Sequence, residues 1–318
     1  MTYIRQLIHI YALLCYGPAL QADTFAYITN QGADNVVVLD TTTYRKVATI
    51  PVGHRPAGIA VSPNDARAYV TNPESKDISI IDTRKRAVIK NVAVGDGPVG
   101  IAVNHAGTLV FVADWYKNAI FILDTTILEI TDSIPVGRSP SGIAVAPDDK
   151  HLYVANRDDD NLMVIDVAER KILSTIPVGK APFGVTVSAQ GDQVYVANVQ
   201  SSDVSIIDTQ RRIVVATVRV GSFPYAIAED HSGNRLYVTN QHDNTVSVID
   251  LGSGTTVHTI EVGEYPEGID KHPTESQVYV ANWFDDKVSV IDTGSMTVVR
   301  EIETDSGSRA FGKFFGPD

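Results

Sequence analysis

Seven aspartates stand at one interval of 42 residues: Asp40, Asp82, Asp124, Asp166, Asp208, Asp250 and Asp292. Carboxylates in such number could serve acid–base chemistry or hold a divalent cation. Both tasks need several of them to converge on one point. Equal spacing works against convergence, because it gives each aspartate its own copy of a structural unit. Each one also follows an aliphatic pair, such as Ile80-Ile81, and precedes Thr, Val or Leu. A carboxylate at such a strand end accepts backbone N–H groups in an Asx-type turn, so the series is read as structural. The Asn30, Asn72, Asn156, Asn198, Asn240 and Asn282 series is read in the same way, with Asp114 as its one departure. Asp158-Asp159-Asp160-Asn161 offers oxygens to calcium but lacks the spacing of a calcium loop, and is read as a solvated charge run. His54, His105, His151, His231, His242, His258 and His272 form no His-x-His or His-Glu-x-x-His pair. There is no Cys-x-x-Cys-His heme site, nucleophile elbow or phosphate loop. No cofactor or metal site is expected.

The elements that carry these residues follow the same interval. Tyr27-Ile28-Thr29-Asn30 returns as Tyr69-Val70-Thr71-Asn72, Phe111-Val112-Ala113-Asp114 and Tyr153-Val154-Ala155-Asn156. It returns again as Tyr195-Val196-Ala197-Asn198, Tyr237-Val238-Thr239-Asn240 and Tyr279-Val280-Ala281-Asn282. Gly53 to Gly263 and Pro56 to Pro266 keep the same step. Each unit reads as four short strands rich in Val, Ile, Thr and Tyr, separated by Gly, Pro, Asn and Asp turns. Four strands per unit in seven copies predict an all-β, seven-bladed β-propeller with antiparallel blades over residues 23–318.

A ring must hide its first and last edges, because open strands invite pairing with other chains. The first copy lacks an inner strand. Counting on by 42 from Pro266 and Gly268 reaches Ser308 and Ala310, followed by Phe311-Gly312-Lys313-Phe314-Phe315. This tail is expected to supply the inner strand of the blade begun by Phe25–Val52.

Residues 1–22 read as a secretory signal: Arg5, an apolar run from Leu7 to Leu14, Gly17-Pro18, and a cut after Ala22. The run is shorter than the roughly 20 residues that span a bilayer. The single cysteine, Cys15, would leave with it. The net charge of -12 argues against general affinity for nucleic acid, which needs Lys and Arg to displace counterions. A periplasmic or extracellular monomer without a transmembrane segment is expected.

The Tyr-Val-Thr-Asn strand, the Ile-Asp-Thr turn and Val-Gly followed by Pro-x-Gly-Ile-Ala-Val together resemble the YVTN-type β-propeller repeat proteins of bacterial envelopes and archaeal surface layers. The resemblance spans the chain after the leader. It implies an envelope location and a binding role. Some relatives are associated with quinoprotein oxidation systems and one branch with DNA binding. No catalytic motif is shared across them.

Function is sought where the repeat varies. The Gly-x-x-Pro loops and the loops after Tyr-Val-Thr-Asn are expected on one face. They carry cations at Arg55, Arg138, Lys180 and Arg309, and aromatics at Phe183, Phe223, Tyr225 and Tyr265, with Glu264 and Glu267 beside them. Trp115 and Trp283 share one repeat position on this face, followed by Tyr116 and Phe284. Large aromatics on loops serve as binding anchors. The preferred reading is a non-catalytic propeller that binds an envelope or secreted protein, or a small ligand at the channel mouth. A lactonase- or lyase-like enzyme, or a quinoprotein dehydrogenase subunit, would need His54, Asp96, Glu264 and Glu267 to converge. Nucleic-acid binding would need the four cations to form one patch.

Overall fold

The computed structural model describes residues 24–317, so the leader read at residues 1–22 lies outside the described residues. Seven sheets form a ring; in five of them the strand order follows the chain as an antiparallel meander, and in the first two blades a strand of the tail is added at the inner edge. The second blade shows the pattern. Its inner strand is Gly58–Val61, followed by Arg67–Asn72, Asp77–Asp82 and an outer strand Ala87–Ala93. β-Branched and aromatic residues favour these strands because they pack well on a pleated surface. The two middle strands bury both faces against neighbouring blades, and the outer strand alternates exposed and half-buried residues. Tyr27, Tyr69, Tyr195, Tyr237 and Tyr279, with Phe111 in the third blade, are buried as wedges between blades.

The aspartate series does what the spacing requires. Asp40 Oδ1 accepts the amides of Thr42 and Thr43 at 2.8 and 2.9 Å. Asp82, Asp124, Asp166, Asp208, Asp250 and Asp292 each accept amides from the turn that follows. Backbone donation holds the Asp82, Asp250 and Asp292 carboxyls below their ordinary range. Asp114 accepts four amides: Asp96 and Gly97 on Oδ2, Tyr116 and Lys117 on Oδ1. It thereby ties two loops together in the one blade where asparagine is replaced.

The ring closes through its tail, with one irregularity. Ser308 bridges Asn30, as the interval predicts. Phe315–Pro317 then pairs antiparallel with Thr24–Ala26, completing the first blade. The interval would set Lys313 opposite Ala26, but Phe315 stands there. Two residues have slipped. The slack is taken up by Phe311–Lys313, which swings out and pairs parallel with Gly58–Ala60 of the next blade. Gly312 permits this, with φ of +130° and no room for a Cβ, which would lie 2.3 Å from the Ile59 carbonyl oxygen.

Candidate functional site

The face that carries the Gly-x-x-Pro loops is closed at its centre. Phe183 stacks on Tyr225 with centroids 4.2 Å apart, and Phe311 meets both at 5.1 and 5.5 Å. Trp115, two blades before Phe183, reaches it at 6.2 Å, with the Arg157 guanidinium over its indole. Four rings from different blades thus plug the channel mouth, and Phe183, Tyr225 and Phe311 are buried. Phe311 comes from the slipped tail.

Beside Phe183 and Tyr225, at the same repeat position in the ring, lies an ion pair. Arg309 Nε approaches Glu267 Oε2 at 2.7 Å, off the line of its N–H, while Nη2 donates to Tyr225 Oη at 2.6 Å. Gln241 donates to the other Glu267 oxygen. Burial raises the Glu267 carboxyl above its ordinary value, with Arg309 and Gln241 pulling it back. Burial by itself would lower the Arg309 guanidinium; Glu267 and Tyr225 more than reverse that and hold it charged.

The other rim cations do not gather into a patch. Arg138 contacts Asp159 at 2.6 Å, Lys180 contacts Asp160 at 2.5 Å, and Arg55 reaches Glu74 at 3.4 Å. His54 pairs with Asp34 at 2.8 Å and Asp96 with Lys117 at 2.6 Å. The candidate catalytic groups are therefore held apart in separate local pairs. Among the described residues no three His, Cys, Asp or Glu side chains form a metal-holding group.

Away from the plug, the sixth and seventh blades carry a ladder of rings at the surface, with Phe223, His242 and Phe284 exposed and Tyr265 and Trp283 half-buried. Phe223 stacks on His242 with centroids 3.7 Å apart. His242 meets Tyr265 at 5.7 Å, Tyr265 meets Trp283 and Phe284, and Trp283 stacks on Phe284 at 4.9 Å. Phe284 is 61% exposed. Of the two tryptophans that share a repeat position, Trp115 belongs to the plug and Trp283 to the ladder. The sequence picked out these aromatics one by one but gave no sign that His242 joins them, because a histidine after Asn-Gln has no counterpart in the other blades.

Below the plug the channel widens into a cavity of about 570 Å³, with Phe311 at one end and the loops of Pro63, Pro147 and Pro273 at the other. Its walls are the inner strands. Val61, Val103, Val145 and Val187 occupy one repeat position in four successive blades, and Glu229, Lys271 and Lys313 follow at the same count. The signal was present in the sequence, but it sits on the strands and not on the loops.

Comparisons with known proteins agree with this architecture. A family model for YNCE-like β-propellers matches residues 102–191, and one for the cytochrome D1 heme domain matches residues 14–146. The chain is a β-propeller. Neither model reaches half of it, and no curated protein matches the sequence. Kuenenia stuttgartiensis hydrazine synthase superposes with a TM-score of 0.76 at 23% identity, over 89% of this chain and 99% of that one. A functionally unknown protein from Desulfotomaculum acetoxidans gives 0.78 at 16% identity, over 91% and 99%. Dihydro-heme d1 dehydrogenase NirN in complex with DHE gives 0.69 at 18% identity, over 92% of this chain and 66% of that one. At these identities the likeness is one of fold.

Proposed function

We propose that this propeller is an exported, non-catalytic binding module that captures a protein partner on the aromatic ladder of its sixth and seventh blades. One observation carries the reading: five rings from four loops stand in continuous contact on the surface, on a face where Arg55, Arg138 and Lys180 are tied up in ion pairs. Exposed stacked aromatics are costly to leave wet and are the commonest energetic anchors of interfaces. Asp243, Glu264 and Asp285 neighbour them in sequence, which favours a partner segment bearing Arg or Lys to lie over the ring faces. The YVTN-type repeat motifs and the secretory pattern at residues 1–22 support an envelope location. A role beside an oxidation system is in keeping with the names of the similar structures.

Those names also raise a heme reading, which most of the candidate side chains do not fit. Iron in a macrocycle needs an axial side chain. Met163 and Met296 pack against apolar clusters of the blades, Tyr225 Oη is held by Arg309, and His242 stacks in the ladder. His105 is the one imidazole lining the channel cavity among the described residues; its Nδ1 is turned to Asp149 at 3.2 Å, which leaves Nε2 open, so it is the axial side chain such a group would use.

The test is capture from native envelope extract by the chain without residues 1–22, beside a Trp283→Ala, Phe284→Ala variant of equal melting temperature. A partner held by the parent and lost by the variant supports the reading. A partner held equally by both overturns it.

A further inference from the structure

The channel cavity is a second site, separated from the ladder by the aromatic plug, and its case does not rest on the loop-face reading. Its wall is divided. Four successive blades present valine, and the next three present charge. A repeat protein gains nothing in stability by replacing valine with three ionisable groups around a shared cavity, since each must be desolvated or paired. The replacements therefore point to a ligand.

The chemistry of that ligand follows from which charges are already satisfied. Asp270 is buried and has its donors: Lys313 Nζ at 2.9 Å and the Lys271 amide at 3.0 Å on Oδ1, and the Phe314 amide at 3.1 Å on Oδ2. Glu229, also buried, accepts the Ala189 amide at 2.9 Å, and Tyr195 Oη donates to its other oxygen at 3.3 Å. The Lys271 ammonium is half-buried and has no hydrogen bond or ion pair among the described residues. Burial, and then the charge of Lys313, push its pKa below the ordinary lysine value. Both carboxylates are spoken for, and one cation is not.

We propose that the channel binds an apolar monocarboxylate, with its hydrocarbon body against the valine wall and its carboxylate on Lys271. Phe311, from the slipped tail, closes one end of the cavity, and Lys313, paired with Asp270, stands beside the head group. An anion at Lys271 supplies the missing partner, and the body displaces water from an apolar wall. A cationic ligand would meet Lys271 with no free carboxylate to receive it.

Calorimetric titration of the chain with decanoate, with decan-1-ol as the uncharged control, tests this directly. A charge-assisted contact in a partly desolvated site should make decanoate bind about 10- to 100-fold tighter than decanol. Lys271→Met should bring the two ligands to within about twofold of each other, and Lys271→Arg should keep the preference. Equal binding of both ligands by the parent, binding of neither, or an unchanged preference in Lys271→Met overturns the proposal. The comparison within the parent protein keeps the test decisive even if a variant folds poorly.

Discussion

Truncating Phe314 to alanine should loosen the ring at its seam by about 3–5 kcal/mol, the usual cost of emptying a fully buried phenylalanine site. Phe314 is fully buried, in the cluster that joins Tyr27 of the first blade to Tyr279 of the seventh. Its carbonyl accepts the Tyr27 amide at 2.9 Å and its own amide donates to Asp270 at 3.1 Å. The backbone contacts survive in Phe314→Ala, so the loss is packing alone. Removing residues 308–318 goes further. It strips the Arg309 amide from the Thr29 carbonyl at 2.8 Å, leaves Glu267 buried without its cation, and uncovers the edge of the first blade. Each of those losses is on the order of 1–5 kcal/mol, against a total stability of roughly 5–15 kcal/mol for a folded domain. The truncated chain should therefore fail to melt cooperatively and should associate through its open edge. Urea unfolding followed by far-ultraviolet circular dichroism gives the midpoint and slope, and Phe284→Ala on the exposed ladder is the control, expected within about 0.5 kcal/mol of the parent. A Phe314→Ala loss below about 1 kcal/mol, or a truncated chain that keeps the parent melting temperature, would refute closure by the tail.

Two further outcomes follow from buried charge. Arg309→Met alone should cost about 3–5 kcal/mol, because it strands Glu267 beside the plug, whereas the double change with Glu267→Gln should recover most of that loss; equal stability of single and double variants in urea would count against a buried ion pair. His272 is buried at the seam between the seventh and first blades, where Nδ1 accepts the Glu275 amide at 2.9 Å and Nε2 donates to Thr41 Oγ1 at 3.0 Å. Burial lowers its pKa below the ordinary histidine value of about 6.5, with Glu275 opposing and His231 adding to the change. The unfolded chain then takes up a proton more readily than the folded one. The stability His272 contributes is present above its unfolded pKa and declines as pH falls through about 6.5 toward the folded value. His272→Gln should lose less melting temperature than the parent between about pH 7.5 and pH 5, and an equal loss in both would remove His272 as the cause.

The sequence was most legible where the repeat held. Strand positions, the aspartate turns, the two faces and the bridge from Ser308 to Asn30 all follow from one interval, because each unit makes the same backbone bonds and buries the same side chains. Legibility failed where contacts cross between copies. The rim cations looked free in sequence, yet Arg138 and Lys180 find Asp159 and Asp160, carboxylates 21 and 20 positions away on a neighbouring loop of the same face. That separation is itself a property of the repeat: His54 with Asp34 and Lys76 with Asp96 use it too. A charge on one of these loops is open to a partner only when its counterpart about 20 residues away is missing.

The same reasoning explains why the channel was overlooked and the plug unforeseen. Variation on loops is inexpensive and carries little information, since solvent accommodates most side chains there. Variation on an inner strand must be accommodated by neighbouring blades, so a run of Glu229, Lys271 and Lys313 in place of valine says more than a dozen loop differences. The slipped tail belongs to the same argument. An ideal closing strand would have set Lys313 against Ala26 and completed the first blade without slippage. Instead the chain places Gly312 in a conformation open to glycine, pairs Phe311–Lys313 with the wrong blade for the repeat, and thereby sends one ring into the plug and one ammonium to Asp270. The departure from the repeat and the construction of the cavity are one event in the structure. Sites in a propeller of this kind are best sought at such departures, on channel-facing strands and at the seam, before the rim.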